Sequence, residues 1–193
     1  MRKSEGREAV GAVYDFENEK MIIGVIYHDE EVLRAALEIL NAEFGEFDLV
    51  SEEFSFSKEF STYYDGELGG EGLRRIYSFR DTVDPARQAE IKKRTNEIEL
   101  SFSDDGNRKI NLDPGFINHG RLMLATTKNA GFRIPLADGI YTELTLFYAR
   151  GEWHKFPWSY RDYQSPTVQK FLTEVRSIYL AQRKAAKKKD DKS

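Results

Sequence analysis

Five consecutive residues, Asn111-Leu112-Asp113-Pro114-Gly115, combine a carboxylate and an amide with the two residue types that shape tight turns. Proline presets φ at the first central position of a turn, and glycine supplies the positive φ that a type II turn needs at the second. The segment is therefore predicted to be a rigid corner. Asp113 is the candidate general base or metal ligand there, with Asn111 beside it, although an Asp in an ordinary turn merely bonds its own backbone.

Other polar residues could complete a site around this corner. Lys128, Arg133, Tyr141 and Glu143 lie on neighbouring predicted hairpin strands, where cross-strand proximity would bring them near Asp113. Such a cluster holds cations and carboxylates close together and predicts an anionic ligand. The cofactor is left open by the sequence, and Mg²⁺ held by Asp113 and Glu143 is the one that these residue types suggest.

A long connection over residues 60–72 mixes adjacent tyrosines, acids and glycines. Long loops in compact domains are often functional, so Tyr64 is a candidate ligand contact. The alternative is a flexible tip whose tyrosines pack on the sheet. Arg74 and Arg75 follow, and because side chains alternate along a strand, one of the two faces a given side. Arg75 is the predicted anion contact.

The aromatic segment over residues 153–163 offers planar surfaces with hydrogen-bonding edges, as a base or another planar ligand requires. Trp158 is the predicted ligand contact in this segment. The same residues would serve equally well as a lid of the core, because Tyr and Trp bury well when their polar ends find partners.

Several classes of chemistry are excluded by the sequence. Cysteine is absent, so no disulfide, thiolate zinc site or cysteine nucleophile can form. The three histidines are scattered without a His-Glu-x-x-His motif, and no Gly-x-Ser-x-Gly elbow is present. Metal-protease and serine-hydrolase chemistry therefore receive no support.

Composition sets the broad class of the protein. The 193 residues are 40% hydrophobic, which is one domain's length and enough for a substantial core. A net charge of −4 argues against a general nucleic-acid binder, because neutralising phosphates needs a basic face. No apolar run approaches the roughly 20 residues that span a bilayer, so no membrane association and a cytoplasmic location are expected.

The hydrophobic pattern predicts a single α+β domain over residues 20–183, with a flexible extension over 1–19 and a charged disordered tail over 184–193. The predicted order is strand (21–27), helix after Asp29, strand (47–50, continued near 53–56), strand (73–79), helix after Asp84, and strand (109–112). This is the order of the ferredoxin-like split βαβ core. The β-prone runs that follow predict an antiparallel hairpin extension, and Ser165-Pro166 predicts the start of a C-terminal helix.

A resemblance to a known family rests on the order of several segments. They are residues 21–30, the Tyr63-Tyr64 loop with Glu67, residues 91–99, 111–115, 124–128 and 138–141 with Glu143, and residues 158–163. Together they resemble the bacterial family catalogued as domain of unknown function 4416, over about residues 21–175. The resemblance assigns no activity. Some relatives carry a GTP-binding label, but this chain lacks the Gly-x-x-x-x-Gly-Lys-Ser/Thr loop that would hold the phosphates.

Two classes of function follow from these candidates. The first is a ligand-binding protein or enzyme for a phosphate-bearing small molecule such as a nucleotide, with Lys128, Arg75 and Arg133 as anion contacts and Asp113 as metal ligand or general base. The second is a non-catalytic module that binds a partner protein or a second copy of itself through the aromatic segment and the last helix.

Overall fold

The computed structural model describes residue 11 and residues 13–190. Within these residues the chain is a mixed α+β protein with one nine-stranded sheet. The strands are β1 (Glu19–Tyr27), β2 (Phe47–Val50), β3 (Phe54–Ser55), β4 (Leu73–Val83), β5 (Ile110–Ile117), β6 (Arg121–Thr126), β7 (Ile134–Pro135), β8 (Tyr141–Ala149) and β9 (Glu152–Lys155). The α-helices are α1 (Glu30–Phe44), α2 (Phe56–Glu59), α3 (Asp65–Leu68), α4 (Gln88–Ser101) and α5 (Pro166–Asp190).

The strands pair antiparallel in the order β2-β4-β1-β5-β6-β8-β7, while β3 pairs with β4 and β9 pairs with β8. Strand β1 lies between β4 and β5, and every residue in it is buried. This confirms the prediction that residues 21–27 form a strand, and it shows that the strand is covered on both faces. A continuous apolar run has no solvent-facing side, so it fits the centre of a sheet that helices cover from both sides.

The two faces of the sheet carry separate cores. Ile23 and Val25 of β1 belong to a cluster with α1 and α4, whereas Ile22 belongs to a cluster with α5. Each fully buried aliphatic side chain contributes about 1.5–3 kcal/mol relative to its exposed state. Successive residues of a strand alternate between these two cores. The position of a residue along its strand, odd or even, therefore decides whether its side chain faces α5 or the pair of helices α1 and α4.

The predicted helix signals are confirmed. The Asp29 carboxylate accepts a hydrogen bond from the Glu31 backbone N–H at 2.7 Å and caps α1, which ends at Gly45 with a φ of 93°. Asp84 caps the turn that leads into α4. The C-terminal helix α5 begins at Pro166 as predicted and continues through Asp190, beyond the limit of 183 that the charge pattern suggested.

Only part of the predicted N-terminal extension and C-terminal tail belongs to the described residues. Residues 1–10, 12 and 191–193 lie outside the described part of the chain. Inside it, the exposed Glu17 carboxylate forms ion pairs with Arg183 and Lys187 of α5. No helix of the described residues has the length and apolar character needed to cross a membrane.

The predicted Asn-Leu-Asp-Pro-Gly turn is wrong, because residues 111–115 lie inside β5 and pair with β1. The φ angle of Gly115 is not positive, as a type II turn would require. It is instead required by close packing, since a Cβ there would lie 2.6 Å from Cδ2 of Leu124 and 2.7 Å from the Met123 carbonyl oxygen. A glycine that permits close strand approach and a glycine that permits a turn look the same in a sequence.

Pro114 sits where β5 and β6 separate. The two strands pair only over Gly115–Ile117 of β5, although β6 continues to Thr126 along β8. Backbone groups of alternate residues point the same way, so Pro114 faces β6 as Leu112 does, and proline has no N–H to donate. A gap therefore opens between β5 and β6 beyond Gly115.

Helix α4 replaces β6 as the partner of β5 in this gap. The Leu112 N–H donates to Oε1 of Glu99 at 2.7 Å, and Nζ of Lys92 donates to the Leu112 carbonyl oxygen at 2.8 Å. Both backbone groups of Leu112 are thereby satisfied without a strand on the β6 side, as buried backbone groups must be. The sheet can stay open here because two charged side chains complete its hydrogen bonding.

Candidate functional site

The gap between β5 and β6 opens into a pocket of about 140 Å³ on the α5 side of the sheet. Pockets for drug-sized ligands hold about 300–1,000 Å³, so this one suits a small molecule or one polar group of a larger ligand. Many of the residues that line it are charged or phenolic. The charged and phenolic residues that line it are Tyr64, Arg74, Lys92, Arg108, Asp113, Lys128, Tyr160, Asp162 and Tyr163.

Asp113 is held in the wall of the pocket by two neighbours. Asn111, on the same side of β5, donates from Nδ2 to Oδ2 of Asp113 at 2.8 Å. The ammonium of Lys92 reaches through the gap and lies 3.6 Å from Oδ1. The side chain remains 29% exposed, so the carboxylate is oriented but still open to a ligand.

Glu99 and Arg108 stabilise the segment of β5 that carries Asp113. Besides the Leu112 N–H, Glu99 accepts a hydrogen bond from Nη1 of Arg108 at 2.9 Å, and Arg108 also pairs with Glu67 of α3 at 2.8 Å. Burial raises the pKa of the Glu99 carboxyl, and the Lys92 ammonium opposes that shift. These contacts link α3, α4 and β5, and they pair the Arg108 guanidinium with two carboxylates.

Arg74 forms the floor of the pocket and is almost fully buried. Its Nε lies 3.1 Å from Oδ2 of Asp162, and its Nη2 donates to the Tyr163 hydroxyl at 3.0 Å. Gly24, the β1 partner of Asp113, makes room for this guanidinium, because a Cβ there would lie 2.5 Å from Nη2. Burial raises the pKa of Asp162 while Arg74 opposes the shift. A buried ion pair of this kind fixes geometry more than it adds stability.

Arg133 connects three groups beside the pocket. Its Nε donates to Oε2 of Glu143 at 2.7 Å, its Nη1 to the Lys128 carbonyl oxygen at 2.7 Å, and its Nη2 to the Tyr160 hydroxyl oxygen at 3.0 Å. Glu143 is 1% exposed, and burial raises its pKa while Arg133 opposes the shift. Each of the three guanidinium nitrogens thus donates a hydrogen bond, and together these bonds hold the Lys128 and Tyr160 segments in place.

Lys128 supplies the available positive charge at the rim. Its ammonium lies 5.2 Å from the centre of the Tyr63 ring, within reach of a cation–π contact. Among the described residues it forms no ion pair, whereas Arg74, Lys92 and Arg108 each have a carboxylate partner. An arriving anion would meet Lys128 without having to break an internal pair.

The family of the chain is shown by a comparison with known protein families. The family model described as "Domain of unknown function (DUF4416)" matches residues 17–179. The chain belongs to the DUF4416 family. The predicted resemblance is confirmed, and the match spans every pocket residue described above. No curated protein and no solved structure matches the chain.

The DUF4416 pocket brings together four of the residues that the sequence nominated, namely Tyr64, Asn111, Asp113 and Lys128. Arg133 and Glu143 lie next to it but are bonded to each other, so neither presents a free charge to a ligand.

Arg75, Tyr141 and Trp158 do not join the DUF4416 pocket. The Arg75 side chain is on the α1 face of the sheet, where its guanidinium lies 3.0 Å from the Glu53 carboxylate. Its neighbour Arg74 is on the opposite face and lines the pocket. Tyr141 pairs with Thr126 within the sheet and does not line the pocket.

Trp158 has both faces covered by other rings. It stacks against Phe132 with ring centres 4.8 Å apart and against Phe156 at 5.0 Å, in both cases nearly parallel. Its Nε1 donates to the Leu144 carbonyl oxygen at 2.9 Å. The indole therefore has no free face on which a planar ligand could stack, and the packing alternative describes its position.

The predicted Mg²⁺ pair is not assembled in the DUF4416 site. Asp113 lines the pocket, but Glu143 is buried beside it with one oxygen bound to Arg133. Within the described residues, no three His, Asp or Glu side chains form a group that could hold a metal. The donor set does not suit Mg²⁺, which demands near-octahedral oxygen coordination.

Sequence reasoning missed Arg74, Lys92, Glu99, Tyr160 and Asp162. Glu99 is buried on α4, among the residues that the sequence did not nominate. A signal was present, because Lys92 and Glu99 stand two helical turns apart and directly follow the apolar Ile91 and Ile98. Charged residues at the edge of a buried stripe are candidates for internal pairs.

Proposed function

We propose that this DUF4416 protein binds a small molecule that carries a phosphate group, such as a sugar phosphate or a nucleotide, in the gap between β5 and β6. The observation that carries the proposal is the rim of the pocket, where the unpaired Lys128 ammonium stands above a polar cavity whose other cations are already bonded. Lysine is a common point-charge contact for phosphate. A ligand phosphate at Lys128 would direct the rest of the molecule toward Asp113.

Binding at Asp113 sets a second requirement for the chemistry of the ligand. Its carboxylate is an acceptor that needs an O–H or N–H from the ligand, or a proton to remove if a reaction takes place. Both possibilities fit a molecule with a phosphate at one end and hydroxyl or amino groups at the other. Asp113 is the candidate general base, and no metal is needed for either role.

The fold supports a site in this position. We infer that β1, α1, β2, β4, α4 and β5 form a ferredoxin-like core, because their strands lie in the order β2-β4-β1-β5 with antiparallel neighbours. Strands β6 to β9 extend this sheet past β5. The proposed site thus lies where the core meets its extension, and the pairing that would close the sheet there is missing.

A panel of sugar phosphates and nucleotides tests the proposal by thermal unfolding, with and without Mg²⁺. A ligand at about 100 times its dissociation constant adds about 2.7 kcal/mol to the folded state. For a chain of this length that corresponds to a Tm increase of about 5–11 °C. The increase should disappear in Lys128→Met and persist in Lys170→Met, a matched change at an exposed lysine of α5 that pairs with Glu52. A panel without any stabilising compound would refute the proposal.

One observation favours a second candidate, a protein-interaction or homo-oligomerisation module. Ile134 and Leu136, in and beside the short strand β7, are 54% and 42% exposed at an edge of the sheet. Exposed apolar residues on an edge strand can pair with another chain. A concentration-dependent mass in light scattering that is abolished by Ile134→Lys would support this candidate.

A further inference from the structure

The hydroxyl of Tyr160 has a fixed hydrogen-bonding role. Arg133 donates to its oxygen at 3.0 Å, and a guanidinium can only donate. The single phenolic proton must therefore point away from Arg133. Within the described residues this hydroxyl donates to no other group, and Tyr160 lines the pocket. The proton is thus available to a ligand in the gap.

Arg133 holds this hydroxyl in place. Its side chain is 10% exposed, and its other nitrogens are bound to Glu143 and to the Lys128 carbonyl oxygen. A guanidinium anchored at three points leaves the tyrosine oxygen little freedom. The pocket consequently has a preset donor in Tyr160, in addition to the acceptor in Asp113.

Tyr160 and Asp113 offer a donor and an acceptor to the same pocket. Both residues line the same small pocket. Burial and the nearby Glu143 raise the pKa of Tyr160 to about 12, and the Asp113 carboxylate adds to that shift. Among the residues that the structure describes, Oδ1 of Asp113 accepts no hydrogen bond, since Lys92 lies 3.6 Å away, beyond hydrogen-bond distance. A ligand hydroxyl can accept from the phenol and donate to this oxygen at once.

We propose that the pocket recognises a hydroxyl group of a phosphorylated polyol, with Tyr160 as the specificity residue and Arg133 as the residue that positions it. This rests on the proposed binding of phosphate at Lys128. The volume agrees, because 140 Å³ is below the range of about 300–1,000 Å³ for pockets of drug-sized ligands and suits a short polyol chain or a sugar ring.

Isothermal titration with three probes tests the inference: methyl phosphate, glycerol 1-phosphate and ribose 5-phosphate. The two hydroxylated probes should bind the wild-type protein at least tenfold more tightly than methyl phosphate. In Tyr160→Phe, which keeps the ring and removes only the hydroxyl, that preference should fall below threefold while methyl phosphate binds as before. Tyr179→Phe is the matched control, because Tyr179 lies in α5 away from this pocket, and it should retain the full preference.

The role of Arg133 is tested by a double variant, Arg133→Met with Glu143→Leu, which removes both buried charges together and so avoids stranding one of them. It should fold and show the reduced preference of Tyr160→Phe. Equal wild-type affinities for all three probes would overturn the inference and leave the proposed function standing. Binding of none of them would overturn both. A full preference in Tyr160→Phe would show that another group selects the hydroxyl.

Discussion

Replacing Glu99 by leucine tests whether α4 really stands in for β6 at the gap. The substitution removes the acceptor of the buried Leu112 N–H and leaves Lys92, whose side chain is 7% exposed, without one of its two carboxylates. An unsatisfied buried donor costs about 1–3 kcal/mol. Breaking a buried ion pair by removing one partner costs about 3–5 kcal/mol. Because the two effects overlap, we expect a total loss of about 3–5 kcal/mol.

Urea unfolding followed by circular dichroism measures this loss. It corresponds to a Tm decrease of about 6–20 °C for a chain of this length. Glu97→Leu is the matched control on the same helix, because the Glu97 carboxylate is 60% exposed and pairs with the exposed Arg94. It should change the free energy of unfolding by no more than about 0.5 kcal/mol.

The double variant Lys92→Met with Glu99→Leu separates the two contributions. It should lose less than the sum of the two single losses, because the two buried charges are removed together, and it should still be destabilised because both backbone groups of Leu112 are then unpaired. If Glu99→Leu costs no more than Glu97→Leu, then β5 does not depend on α4 for its hydrogen bonds, and the physical account of the gap is refuted.

Three further predictions concern packing and pH. Gly115→Ala should destabilise the protein by about 1–3 kcal/mol in urea unfolding because its Cβ meets the Met123 carbonyl, whereas Gly120→Ala, with open space around it, should be nearly neutral; equal effects would contradict the close approach of β5 and β6. Trp158→Phe should lower the free energy of unfolding by about 1 kcal/mol through the lost hydrogen bond and leave probe affinity unchanged in titration, while a large affinity loss would return Trp158 to the site. Since burial raises the pKa of Tyr160 to about 12, its hydroxyl stays protonated below that pH; the preference for glycerol 1-phosphate over methyl phosphate should therefore be constant from pH 7 to 9, and a decline within that range would indicate another titrating group.

Local signals predicted most of the secondary structure. The helix α1 could be read from Asp29, Gly45 and the apolar spacing between them, and β1 from its uninterrupted apolar run. These features depend on residues close in the chain. The order of strands and helices was likewise visible, because each element carries its own periodicity.

The segment 111–115 could not be read in the same way. Proline inside a central strand is unfavourable unless the missing hydrogen bond falls on an open side, and that side is open only because α4 brings Lys92 and Glu99 to Leu112. Such compensation comes from residues distant in sequence. Turn chemistry and strand chemistry therefore remain indistinguishable at this position until the tertiary structure is known.

Only part of the site could be predicted, because its other contacts also join residues that are distant in the sequence. Asp113 was nominated from a predicted turn that is in fact part of β5, and Lys128 from the expected proximity of neighbouring hairpin strands. The choice between Arg74 and Arg75 depended on strand parity, and the parity is set by which core each neighbour joins. The internal bonding of Arg133 to Glu143 is a long-range pairing, so the sequence presented both as free ligands.

Amide chemical-shift mapping with ribose 5-phosphate would locate the phosphate-binding site on the chain residue by residue. Titration of isotope-labelled protein should shift the amides of Asp113, Thr126, Lys128 and Tyr160 together, with one saturation curve. The same titration of Lys128→Met should leave them unchanged. Shifts confined to the β7 edge around Ile134, or an absence of shifts at millimolar probe, would contradict a phosphate-binding site in the gap between β5 and β6.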